Sequence, residues 1–419
     1  MKAFILNSSD IERDSFVWNM AGSLLMAFQS VIFLMILTRT VGLNASGIFT
    51  IAYANANLFL NIGKYGMRNY QVSDVRDEFC FREYLGSRWI TTIMMIVVSI
   101  IYVAYTAHVN DYSFEKSQII IWMCLFKVSD SLEDVYYGEY QKKGRLDIAS
   151  KAMTLRMLIT ITVFAIAVIV TSDLLITLII TTLISTLIMV LFLCWTYPQF
   201  KDTNLRRKGH VVEILKCCFP VFLSAFLAFY IGNAPKYAID AQLTDELQAC
   251  YGFIAMPVFV IGLLNNFVFT PMIYHLSCLW NDRKIKSFLN KILLQSLIVF
   301  LITIVCMLGA YILGIPVLSF LYNTDLQPYK TELMILLIGG GFLGLSGVFT
   351  AVITIMRYQR VLAVGYIVVS LIAFFMSDLI VSEYGIMGAT VLYTGLMILL
   401  CLGFTIIMFV GIKREKQEE

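Results

Sequence analysis

In this chain, chemistry would have to come from the charged residues that interrupt its apolar runs. One run is broken at Lys127-Val128-Ser129-Asp130-Ser131-Leu132-Glu133-Asp134. On a helix, at about 100° per residue, Lys127, Asp130, Asp134, Tyr137 and Gln141 share a stripe about 80° wide. An ionised side chain at the centre of a bilayer costs roughly 2.5–3.5 kcal/mol even on a lenient scale, so the stripe faces protein or water rather than lipid. Two readings stand open. Lys127 pairs with Asp130 or Asp134 and holds helices together, or the stripe lines a wet cavity that a polar solute crosses.

A second set of candidates stands at the ends of apolar runs. Lys64 and Arg68 close one run, and Arg39 and Lys236 close two others, with Asn233 three residues before Lys236. Taken singly, each reads as a long side chain reaching back to the interface. Set around one path, they would make both mouths positive and favour a phosphate-bearing solute. Arg156 and Asp240 are weaker candidates of the same kind. Catalytic and nucleotide-binding patterns are missing. Gly63-Lys64-Tyr65 lacks the Ser or Thr that a phosphate-binding loop places after its lysine, so direct ATP hydrolysis is not expected. The nine cysteines, an odd number scattered mostly within apolar runs, read as small buried hydrophobes. His275 and Cys278 come nearest to a ligand pair, and no third partner lies close in sequence. No enzymatic activity, metal or other cofactor is expected, and no nucleic-acid partner.

Membrane helices must position these residues. Of 419 residues, 59% are hydrophobic and 14% charged, where a soluble chain carries roughly 25% charged. With a mean hydropathy of +0.81, a water-soluble enzyme is excluded. Runs long enough to cross about 30 Å of hydrocarbon fall at 15–38, 44–64, 86–108, 115–137, 150–171 and 174–196. A second set follows at 211–234, 249–275, 288–313, 331–356, 361–381 and 385–411. Ser9-Asp10-Ile11-Glu12 has a capping pattern before the first helix. Ala3-Phe4-Ile5-Leu6 is too short for the apolar core of a signal peptide. Along this map 26 of the 31 lysines and arginines fall on one side, which the positive-inside rule makes cytoplasmic together with both termini. The connections on the outer side are short, with no room for a lid or a catalytic domain.

The expected fold is an all-α polytopic membrane protein of about twelve transmembrane helices in two pseudo-symmetric six-helix lobes. Its parts are a cytoplasmic segment over 1–14, a lobe over 15–196, a cytoplasmic linker over 197–210, a second lobe over 211–411 and a tail over 412–419. All seven prolines follow residue 197. Pro220 and Pro257 fall inside runs, where they serve either as bending points or as static kinks, and Gly232-Asn233-Ala234-Pro235 is expected to end the seventh span. Gly340 and Gly344 form a GxxxG pair of the kind that marks close helix packing.

Several local patterns resemble oligosaccharide flippases, the polysaccharide-transport branch of the multidrug/oligosaccharidyl-lipid/polysaccharide exporter superfamily. They are Phe16-Val17-Trp18-Asn19, Leu37-Thr38-Arg39-Thr40-Val41-Gly42, Ala45-Ser46-Gly47-Ile48-Phe49 and Gly63-Lys64-Tyr65-Gly66. Gly138-Glu139-Tyr140-Gln141-Lys142-Lys143-Gly144-Arg145 and Asn233-Ala234-Pro235-Lys236-Tyr237 leading to Tyr251-Gly252 are similar too. The resemblance implies a carrier in the bacterial inner membrane that turns undecaprenyl-diphosphate-linked oligosaccharide repeat units from the cytoplasmic to the outer leaflet by alternating access. It implies a cationic cavity between the lobes, lipid-linked oligosaccharide and membrane lipids as partners, and a proton or sodium ion as the candidate coupling ion. Two alternatives remain. A drug/cation antiporter of the same superfamily would use Asp130, Glu133 or Asp134 as an ion site, and a membrane glycan polymerase or transferase would need the larger external loop that this chain lacks.

Overall fold

A computed structural model of the chain describes residues 1–74, 77–200, 210–269 and 272–417, all helical or connecting segments with no strand among them. Residues 201–209 of the linker expected over 197–210 lie outside the described residues, as do Arg76, Pro271 and the end of the expected tail at 418–419. The chain divides into two compact units, Met1–Phe226 and Leu227–Glu419, and the division falls within a helix downstream of the expected linker. Nine helices among the described residues are long and apolar enough to cross a membrane. This is a multi-pass membrane protein.

The first unit runs through α1 (Lys2–Leu6), α2 (Ile11–Thr40), α3 (Leu43–Lys64), α4 (Met67–Ser73), α5 (Phe81–Val109), α6 (Phe114–Lys142), α7 (Leu146–Thr171), α8 (Leu174–Thr196) and the first half of α9 (Val211–Gln242). α2 starts where its cap predicts: the Asp10 carboxylate accepts from the Arg13 amide at 3.0 Å. The short α1 falls in the segment 1–14, which was expected only to be cytoplasmic. Lys151 on α7 ties that segment down by donating to the Asn7 carbonyl and Ser8 Oγ and pairing with Asp14 at 2.7 Å. α6 packs against α3, α4, α5, α7 and α8, so most of its circumference is protein rather than lipid. That enclosure is what lets it carry charge. The rings of Phe33, Phe49 and Phe164 join α2, α3 and α7, with Phe33 and Phe164 stacked at 3.9 Å. In lipid such contacts hold helices by packing, because the tails are as apolar as the side chains.

α3 ends at two left-handed residues, Tyr65 and Gly66. A Cβ at Gly66 would lie 2.8 Å from Val221, so glycine there serves both the turn and the approach of α9. The connection that follows is shaped by Asp74, whose carboxylate accepts from the Glu78 and Phe79 amides and the Tyr84 hydroxyl and lies 3.6 Å from Lys142. Burial pushes the Asp74 carboxyl up, but the two amides, Lys142 and Tyr84 outweigh it and hold the group below the usual carboxylate range.

The second unit comprises the rest of α9, α10 (Asp245–Phe269), α11 (Met272–Asn281), α12 (Ile285–Gly309), a π-helical turn at Ala310–Gly314, α13 (Ile315–Tyr322), α14 (Lys330–Ile355) and α15 (Gln359–Gln417). α15 breaks at Gly385 (φ 59°, ψ −137°), the first residue of the run expected at 385–411 and four residues past the run expected at 361–381. Gly232–Pro235 does not end a helix as expected: α9 continues to Gln242. In a membrane, neighbouring groups can satisfy the carbonyl that a proline leaves free. α14 is the hub of this unit, and its glycines set the spacing. Cβ atoms at Gly339, Gly340 and Gly341 would lie 2.8 Å from Tyr393, 3.0 Å from Val258 and 2.8 Å from Thr303, so each glycine admits a different neighbour: α15, α10 or α12.

Candidate functional site

The predicted stripe on α6 becomes an ion-pair web inside the first unit. Arg156 of α7 reaches Asp130 at 2.5 Å and Glu133 at 2.6 Å, and its other amino group donates to Ser185 Oγ on α8 at 2.9 Å. Lys127 lies 3.0 Å from Asp130 and 3.4 Å from Gln29 Oε1 on α2, with its ammonium over the Tyr53 ring of α3. Tyr137 donates to Glu133 at 3.1 Å. One turn further along α6, Asp134 holds Arg88 of α5 at 2.8 Å and Arg68 of α4 at 3.7 Å. Arg88 also donates to the Gly63 carbonyl at 2.6 Å, closing the exposed end of α3.

Close approach makes the web possible. A Cβ at Gly63 would lie 2.7 Å from Ser131 Oγ, and one at Gly138 2.5 Å from Gln71 Oε1. Glycine at these two places lets α3 and α4 lie directly on α6. Four cations (Lys127, Arg156, Arg88, Arg68) then meet three carboxylates (Asp130, Glu133, Asp134), and each carboxylate has at least one cation. Lys127 is only 1% exposed, so in this conformation its charge is spent inside the unit.

The sequence reading singled out the α6 residues of the web but not its two central arginines. Arg156 ranks only as a weak candidate in the sequence, and Arg88 is not singled out there. Both are fully buried. Their position inside the runs expected at 86–108 and 150–171 was the signal that could have found them. Of the other candidates, Lys64 is half-buried in the last turn of α3, and the side chain of Arg68 is 29% exposed and also donates to Gln141 at 3.0 Å. Arg39 is exposed at the end of α2, apart from the web.

Lys236 and Asn233 stand together in the second unit. They border a cavity of about 420 Å³ with Phe229, Tyr251, Val258 and Tyr393, whose walls are otherwise apolar. Asn233 donates to the Phe229 carbonyl at 3.0 Å, which leaves its amide oxygen for a solute. Lys236 forms no ion pair among the described residues. The site can therefore attract an anion and lay flat apolar groups against two tyrosines and a phenylalanine. Among the described residues no group of three or more His, Cys, Asp or Glu side chains could hold a metal.

A family described as "Polysaccharide biosynthesis protein" matches residues 13–277. The capsular polysaccharide biosynthesis protein CapF of Staphylococcus aureus is 22% identical over 318 residues, spanning 74% of this chain and 79% of that protein. Among solved structures, an inward-facing multidrug resistance MATE family transporter of the MOP superfamily matches with a TM-score of 0.69 at 14% identity, over 93% of this chain and 94% of that one. The lipid II flippase MurJ in an inward closed conformation matches with a TM-score of 0.66 at 16% identity, over 93% and 86%. The fold is that of these transporters.

Proposed function

The chain belongs to the polysaccharide biosynthesis protein family, and we propose that its part in that process is transport. It turns undecaprenyl-diphosphate-linked oligosaccharide repeat units from the cytoplasmic to the outer leaflet of a bacterial inner membrane, by alternating access of two lobes. In this reading α3 and α6 cross the membrane with the nine apolar helices, the break in α15 divides two crossings, and both termini are cytoplasmic.

The observation that carries the reading is Lys236, a cation on a membrane helix that borders a roomy cavity and has no ion-pair partner among the described residues. A lysine is costly in hydrocarbon unless water or an anion meets it. A diphosphate supplies that anion, and the aromatic wall suits sugar rings. The family's name and the likeness of fold to a lipid II flippase support a lipid-linked sugar as the cargo. The cation-antiporter alternative draws no support from α6, where every carboxylate of the stripe already holds a cation.

The test is reconstitution in liposomes with fluorescent lipid-linked oligosaccharide under proton or sodium gradients. Outward exposure is read with a membrane-impermeant quencher. Wild type should expose the label, Lys236→Ala should slow it about tenfold, the scale of one lost charge-assisted hydrogen bond, and Lys236→Arg should keep most activity. Transport of cationic drugs with no movement of the lipid would refute the proposal.

A further inference from the structure

The first half of α9 carries an aromatic ladder that the sequence reading did not use. Within the first unit, Tyr65 stacks on Phe222 with ring centres 4.4 Å apart and planes 10° apart. Phe222 in turn meets Phe219 at 6.1 Å and Phe226 at 5.8 Å. α9 docks on the connection between α3 and α5 through the buried Ile214 and Cys218. Phe222 and Phe226 stay half-buried, and Phe219 is 47% exposed. Of the nine apolar helices α9 is the least covered, with 17% of its apolar window buried.

Two cations flank Tyr65 in the chain, Lys64 directly before it and Arg68 three residues after. Lys64 forms no ion pair among the described residues. Arg68 lies 3.7 Å from a carboxylate, Asp134, that Arg88 already holds at 2.8 Å, and its other bond is to the neutral Gln141. Lys64 acts on Asp130 without pairing with it and Arg68 shares Asp134 with Arg88, so the four cations of the web together with Lys64 outnumber its three carboxylates by two, and that excess is open to an anion. The spacing of three and four residues continues in the sequence through Phe229 to Asn233 and Lys236, polar groups that a purely lipid-facing stripe would not carry.

We propose that the half-exposed Phe219, Phe222 and Phe226, with Phe222 backed by the buried Tyr65, form a stacking platform for the first sugar rings of the cargo, and that Lys64 and Arg68 meet its diphosphate there, at a station separate from the Lys236 cavity. This rests on the transport reading above and adds to it a division of labour. The apolar face of a pyranose lies on a flat ring, while its hydroxyls at the rim stay wet. The platform then recognises that a sugar is present, and the cations recognise that the lipid carries phosphate.

The test compares binding of two probes to the purified, reconstituted protein: lipid-linked oligosaccharide and sugar-free undecaprenyl diphosphate. Phe222→Leu and Phe226→Leu keep an apolar side chain in the membrane but remove the ring face. Each should weaken binding of the oligosaccharide form about tenfold, leave the sugar-free lipid unchanged, and be rescued by Tyr at the same position. Lys64→Ala with Arg68→Ala should weaken both probes. Equal weakening of both probes by the Leu variants, or no change in either, would overturn the platform. Failure of wild type to bind or move either probe would instead refute the transport reading, so the two outcomes are distinguishable.

Discussion

Replacing Arg156 by Met separates its role in the α6 web from that of Lys127. The guanidinium is fully buried and spans Asp130 and Glu133 at 2.5 and 2.6 Å. Met keeps the length and removes the charge. Asp130 would retain Lys127 at 3.0 Å, but Glu133 would be left with only the Tyr137 hydroxyl at 3.1 Å. Removing one partner of a buried pair costs about 3–5 kcal/mol, mostly because the other charge is stranded. Arg156→Met should therefore destabilise the protein by about 4 kcal/mol. Lys127→Met should cost only about 1–2 kcal/mol, because Asp130 keeps Arg156 at the shorter distance. Arg156→Lys should fall nearer wild type than the Met variant, since it keeps a positive charge for both carboxylates, which a single guanidinium nitrogen holds here, and loses chiefly the bond to Ser185. Unfolding of the purified protein in mixed micelles, titrated with a denaturing detergent, reads these differences. Adding Glu133→Gln to Arg156→Met should recover about 1–3 kcal/mol, because the stranded charge is gone. Equal costs for the Arg156 and Lys127 variants, or no recovery in the double variant, would refute the stranded-charge reasoning.

Two further outcomes follow from the helix map and the glycine contacts. A reporter fused after residue 419 should read as cytoplasmic and one inserted at Asp111 as external; an external C-terminus would make the number of crossings odd and break the two-lobe scheme. Gly341→Ala would place a Cβ 2.8 Å from Thr303 and should cost about 1–3 kcal/mol in the same unfolding assay, whereas Gly347→Ala, with open space around it, should be near neutral.

Much of the helix map was legible because length and period are local properties of a chain. The Asp10 cap, the runs that become α2, α3 and α5 to α8, the break near 385 and the polar stripe of α6 all follow from residues within one or two turns of each other. Proline was a poorer guide, because its effect depends on whether neighbours satisfy the carbonyl it frees; α9 runs through Pro235. Pairing was not legible at all. Asp134 meets an arginine 46 residues earlier in the chain, and Arg156 meets carboxylates 23 and 26 residues away. A charge in a sequence specifies that it needs a counter-charge or water, but not which. That choice is made by helix contacts, which depend on glycines such as Gly63 and Gly138 and on which helices surround α6. The same applies to Lys236. Sequence placed it at the end of a run beside Asn233, but α10, α14 and α15 have to fold around α9 before it borders a cavity lined by Tyr251 and Tyr393. Apolar length and period therefore set the helices in this protein, and their packing alone decided which charges neutralise one another and which remain available to a solute.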